Sequence, residues 1–166
     1  MEKKQILIID NSGLSYIGSD INGPILRGTE TSLILLSEEL TKKNCDVFFA
    51  NKTNQEKRVN GVHYINEKNI NKEKTYDLAI AVSNANLFNK IKSVKKAIFS
   101  VSNQSLEKFL RKRQFISTYT HKPVIVTLCD YQFKKRSFLT SPFGKLTIPI
   151  TVDRQFIDEK IDINFI

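Results

Sequence analysis

Three short apolar runs set the strongest limit on what this chain can fold into. Residues 5–9 (Gln-Ile-Leu-Ile-Ile), 78–82 (Leu-Ala-Ile-Ala-Val) and 97–101 (Ala-Ile-Phe-Ser-Val) are apolar without alternation and too short for helices. A strand of that kind is covered on both faces, as in the middle of a parallel sheet. Further strands are expected at 46–50, 62–65, 124–128 and 146–150. A helix is expected over 29–43, where Leu33, Leu36 and Leu40 recur at helical spacing and Lys42 and Lys43 occupy the last turn. Shorter helical stretches follow at 85–92 and 106–112. The polar segment 51–60 separates two strands that do not read as a hairpin. Seven strands with intervening helices predict an α/β domain whose sheet is mostly parallel.

The 166 residues, 40% of them hydrophobic, predict one domain with its own core. Cys45 and Cys129 each lie beside an apolar run, so both are expected to be buried reduced thiols in a reducing cytoplasm. No apolar run approaches the roughly 18 residues of a membrane span, and residues 1–4 lead into a strand without a signal-peptide core. The net charge is +9, and residues 92–145 hold 12 Lys or Arg against only Glu107 and Asp130, so the whole excess falls in that segment. It fits compositional bias, since 20 of the 26 basic residues are Lys, and equally a cationic face for an anionic partner.

In open α/β sheets the functional loops leave the carboxyl ends of the strands. Here those loops begin at Asp10 and Asn11, at Ser83 and Asn84, at Ser102, Asn103 and Gln104, and at Asp130 and Tyr131. The stretch 11–28 is long enough to predict a functional or disordered loop. It ends at Gly28, which allows a tight turn into the helix, so that the free N–H groups of Thr29, Glu30 and Thr31 form a positive helix end suited to a phosphate or carboxylate. The plainer reading is a helix capped by Thr29 with Glu30 favouring its dipole. Asn103 and Gln104 suit sugar hydroxyls or simply start a helix, and Tyr131 suits stacking on a sugar face or packing in its loop.

Other chemistries lack their residues. His63 and His121 have no partners at metal-ligand spacing and the cysteines form no pair motif, so no metal is expected. Without a Gly-x-x-x-x-Gly-Lys loop or a Gly-x-Gly-x-x-Gly turn, no nucleotide or dinucleotide cofactor is expected either. Asp10-Asn11-Ser12 invites comparison with phosphoacceptor domains, but Cys129-Asp130 supplies no late-strand Lys. Residues 106–113 put Leu106, Phe109 and Leu110 on one helical face and Lys108, Arg111, Lys112 and Arg113 around the rest. That pattern describes an amphipathic helix against the sheet, or one resting on an anionic membrane surface. Nucleic acid is the rival partner, with no reading motif to support it.

The run Arg27-Gly28-Thr29-Glu30-Thr31, followed by Leu33, Leu36, Glu39, Leu40 and strand 46–50, resembles the first domain of GT-B glycosyltransferases of the family-4 type. Arg27 stands where that family has a first Gly, and Cys45 where it commonly has His. Residues 97–103 look like the family strand that ends in a His-Asn or His-Asp loop, and Thr151-Val152-Asp153 with Phe156 is similar to its hinge. The resemblance implies a three-layer Rossmann-like domain over 1–152, half of a GT-B fold, with 153–166 starting the crossing to a second domain. It implies a retaining, metal-independent glycosyltransferase half that binds a glycan or lipid-phosphate acceptor and is inactive alone. The nucleotide-sugar donor would be held by the second domain, and the chain would work in the cytoplasm, peripherally at the inner membrane face. The acceptor contacts expected are Arg27, Gly28, Thr29, Asn84, Ser102, Asn103, Gln104 and Tyr131. The alternative is a basic α/β module that binds nucleic acid or an anionic membrane.

Overall fold

The structure, a computed structural model, describes residues 3–21, 23, 26–100, 114–134 and 143–148. It is an α/β domain built on one eight-stranded sheet. In chain order the strands are β1 (Lys4–Ile9), β2 (Cys45–Asn51), β3 (Lys57–Val59), β4 (Val62–Asn66), β5 (Thr75–Val82), β6 (Lys92–Ser100), β7 (Val124–Thr127) and β8 (Lys145–Thr147). Helix α1 (Gly28–Lys42) joins β1 to β2, α2 (Gln114–His121) precedes β7, and α3 (Asp130–Lys134) follows it. The spatial order is β3-β4-β2-β1-β5-β6-β7-β8. Every neighbouring pair is parallel except β3 with β4. This order is compatible with a Rossmann-like α/β fold, and it reverses between β1 and β5.

The sheet buries side chains on both faces, as the apolar runs require. Ile6 and Ile8 of β1 pack with Leu33 and Ile34 of α1, Val47 and Phe49 of β2, and Ile80 and Val82 of β5. The alternate residues turn the other way: Leu7 and Ile9 pack with Ala50 and Tyr76, and Ala79 and Ala81 pack with Ala85, Phe88 and Ile98. Each fully buried Leu, Ile or Phe contributes about 1.5–3 kcal/mol relative to exposure. The buried stripe of α1 is Glu30, Leu33, Ile34 and Ser37 rather than Leu33, Leu36 and Leu40. Ser37 sits inside without penalty because its Oγ donates to the Leu33 carbonyl at 2.6 Å.

Several local expectations change. Strands 46–50 and 62–65 pair in parallel and form no hairpin, but the polar connection between them holds β3, which forms a β-hairpin with β4 through Asn60 and Gly61, both at positive φ (48° and 86°), as a two-residue primed turn demands. Residues 85–90 form a 3-10 turn capped by Asn84 instead of a helix to 92, because β6 begins at Lys92 and pairs with β5 from Thr75 onward. Cys129 is exposed and Cys45 only half-buried, so neither is the buried thiol expected. Cys129 follows the end of β7 in a turn, and Cys45 opens β2 at the rim of the sheet. The long loop after β1 is packed down in part: Tyr16 and Ile17 are buried in the core beside α1. Among the described residues no helix is long and apolar enough to cross a membrane. The basic segment 106–113 and the hinge segment 153–166 lie outside the described residues.

Candidate functional site

The carboxyl ends of β1 and β5, where the strand order reverses, meet the first turn of α1 in a crevice of about 440 Å3. Asp10, Asn11 and Ser12 enter from the end of β1, Val82, Ser83 and Asn84 from the end of β5, and Arg27, Thr29 and Glu30 from the start of α1. Gln114, at the head of α2, closes the remaining side and accepts from the Ala85 amide through Oε1 at 3.3 Å.

Two buried carboxylates dominate the electrostatics. Asp10 is held by three donors: the Tyr16 hydroxyl at 2.6 Å and the Ser12 hydroxyl at 3.0 Å on Oδ2, and the Ser12 amide at 2.9 Å on Oδ1. A buried carboxylate persists only with such compensation. Tyr16 is in turn fixed from behind, its carbonyl accepting from Asn51 Nδ2 at 2.7 Å. Burial pushes the Tyr16 phenol well above its usual range, and the Asp10 carboxylate pushes it further, so the phenol acts here only as a neutral donor. Glu30, buried in the first turn of α1, is gripped by Arg27, whose guanidinium places one nitrogen 2.6 Å from Oε1 and Nε 3.3 Å from Oε2. The Arg27 side chain is 66% exposed while that of Glu30 is 1% exposed, so the pair runs from the interior to the mouth of the crevice.

Of the residues singled out from sequence, Arg27, Thr29 and Asn84 line this crevice, together with Asp10, Glu30, Ser83 and Gln114. Gly28 stands beside the crevice without lining it, and its role differs from the expected one. A Cβ there would meet nothing within 4 Å and its φ is not positive, so no tight turn requires glycine. Nor does Thr29 cap the helix: Arg27 is the N-cap residue, without a side-chain cap, and Thr29 lies inside the first turn. With Glu30 buried at that end, the crevice carries two carboxylates against one guanidinium and is not a simple anion hole. Tyr131 is placed on α3, 59% exposed and away from the crevice lining. Ser102, Asn103 and Gln104 lie outside the described residues.

Asp10 reads from sequence as a strand-end acid, comparable to a phosphoacceptor but without the late-strand Lys, and is not among the expected contacts; nor is the burial of Glu30 expected. The readable signals were an acid directly after a buried strand and an Arg-x-x-Glu spacing, which sets the two side chains on one helical face. Ser83, at a φ of 54°, turns the chain sharply out of β5, a backbone setting uncommon outside glycine. Among the described residues no group of three or more His, Cys, Asp or Glu side chains converges as a metal site would. No family model matches the chain, and no curated protein or solved structure matches it significantly.

Proposed function

We propose that the crevice binds a hydroxyl-rich acceptor and that the chain is the acceptor-side domain of a retaining, metal-independent glycosyltransferase of GT-B type. The observation that carries this reading is the convergence of carboxylate, amide, hydroxyl and guanidinium groups at the point where the strand order reverses. Ligands of open α/β sheets bind at such points. Sugars present adjacent hydroxyls that both donate and accept, and Asp10, Asn84, Thr29 and Arg27 offer the complementary groups around one cavity. On this reading the sheet and its covers are the three-layer first half of a GT-B fold. Ser102, Asn103 and Gln104 complete the acceptor side, and 153–166 leads toward a second Rossmann-like domain that holds the nucleotide-sugar donor. The acceptor is a glycan or a lipid-linked phosphate sugar, met at the cytoplasmic face of the membrane with the basic stretch 106–113 against the lipid surface.

Saturation-transfer NMR of the 166-residue chain with a panel of mono- and oligosaccharide acceptors tests the proposal. Saturable binding is expected, weakened about tenfold by Asn84→Ala or Arg27→Met, the scale of one or two lost polar contacts. No sugar transfer is expected from the chain alone. If no glycan saturates the crevice while DNA or RNA shifts in a salt-sensitive manner, the reading fails in favour of a basic binding module.

A further inference from the structure

On the opposite face of the sheet from α1, a second cavity of about 550 Å3 opens beside the end of β1. Part of its lining is apolar: Ile9, Ile70, Leu87 and Ile91, which pack on the Leu7, Ala50 and Tyr76 side of the sheet. Lys52, Lys68, Lys72 and Lys90 also line it, with Glu67 as its single carboxylate. These lysines arrive from three separate segments: just past β2, along the crossover from β4 to β5, and at the end of the 3-10 turn before β6. The fold, not a local run of charge, gathers them.

What sets this cluster apart is that four lysines share one cavity. None of the four lysines belongs to residues 92–145, which hold the whole excess charge of the chain. Some lysines have partners: Lys42 pairs with Glu39 at 2.6 Å, Lys92 with Glu73 at 2.8 Å, and Lys74 lies 3.8 Å over the Phe48 ring, whereas Lys95 and Lys122, scattered elsewhere, make no ion pair among the described residues. Among the described residues Lys52, Lys68, Lys72 and Lys90 make no ion pair. All four are exposed, and four ammonium groups round one cavity repel each other and sum to a positive potential over it. Against Glu67 they leave a surplus of three positive charges.

We infer that this cavity binds an organic diphosphate, with the diphosphate among the four lysines and the organic group on the apolar walls. A diphosphate monoester near neutral pH carries about three negative charges, since a terminal phosphate has a second pKa near 6. Lysine meets such an anion as a set of movable point charges rather than a planar fork. The volume lies within the range of about 300–1000 Å3 typical of small-molecule sites. The site is distinct from the carboxylate crevice, although Asn11 lines both, and it holds whether or not the crevice binds sugars.

Isothermal titration of the chain with ADP and with farnesyl diphosphate, at low and at physiological salt, tests the inference, with adenosine and inorganic phosphate as references. One or both diphosphates should bind at least about tenfold tighter than the references; ADP alone marks a soluble nucleotide source and farnesyl diphosphate alone a prenyl source. Lys52→Glu with Lys72→Glu, and separately Lys68→Glu with Lys90→Glu, should each weaken binding about tenfold or more. Lys95→Glu with Lys122→Glu, exposed lysines outside the cavity, should leave it unchanged. Equal weakening by the control pair, or diphosphates binding no better than the references, would overturn it.

Discussion

The hydroxyl of Tyr16 donates to Oδ2 of Asp10 at 2.6 Å, and both groups are buried at the base of the crevice. The bond does two things at once: it gives a buried carboxylate a donor in place of water and pins the loop after β1 against the core. Tyr16→Phe removes the donor and keeps the ring. It should lower stability by about 1.5–3 kcal/mol, the usual worth of a hydrogen bond to a charged group, measured as a shift in the urea midpoint.

Tyr16, Tyr64 and Tyr76 all have phenols pushed upward, in each case first by burial, with Asp10 adding to it at Tyr16 and Glu38 at Tyr64. The folded chain therefore holds these phenolic protons more tightly than the unfolded chain does. Their stabilising contribution is complete below the unfolded-state value of about 10 and is lost as pH rises above it. In an alkaline titration followed at 295 nm, these three tyrosines should ionise only together with the loss of circular dichroism. Ionisation of all three in a still-folded chain would contradict their burial.

Arg27 and Glu30 form an ion pair with one member inside and the other in solvent, so the two substitutions should not be equivalent. Arg27→Met strands a buried carboxylate, whereas Glu30→Gln leaves only an exposed guanidinium. The double variant should be more stable than Arg27→Met alone, because removing the second charge relieves the uncompensated first. Equilibrium unfolding of the three variants closes the cycle.

Two glycines should respond in opposite directions. Gly61 sits at a φ of 86°, and a Cβ there would come within 3.0 Å of Thr41 Oγ1, so Gly61→Ala should cost more than about 1 kcal/mol. Gly28→Ala enters open space at an ordinary helical position and should stabilise by about 0.4–1 kcal/mol through the unfolded chain. Thermal unfolding of both distinguishes a glycine that the turn needs from one that it merely contains.

Lys122 ends α2 in the left-handed region, at a φ of 45°, with its amide donating to the Thr118 carbonyl at 2.9 Å and its side chain exposed. Helices commonly place glycine at this position. Lys122→Gly should therefore raise stability by about 1 kcal/mol, or about 2–4 °C in Tm for a chain of this size.

The interior of the sheet was legible because a strand covered on both faces writes itself as an unbroken apolar run: 5–9, 78–82 and the described part of 97–101 lie on central strands. The hairpin at 57–66 was not, since Lys57 and Arg58 look like loop residues, and the signal lay in the Asn60-Gly61 pair between two unequal strands. Helix α2 was hidden because Gln114, Ser117 and Thr118 are the residues it buries, so its inner face carries no apolar period. In the crevice, Asn84 could be placed from the loop rule, Thr29 from the helix end it opens, and Arg27 only from the family resemblance. The burial of Glu30 depends on how α1 seats on the sheet, a tertiary fact that helix periodicity led by Leu36 misread.

The antiparallel β3 has one further consequence. It occupies one edge of an otherwise parallel sheet, and its exposed Lys57 and Arg58 point charge at any strand that would dock there. An unprotected edge is a template for aggregation, and a short, charged, reversed strand is a poor one. Lengthening of the sheet at that end by a second copy is therefore disfavoured.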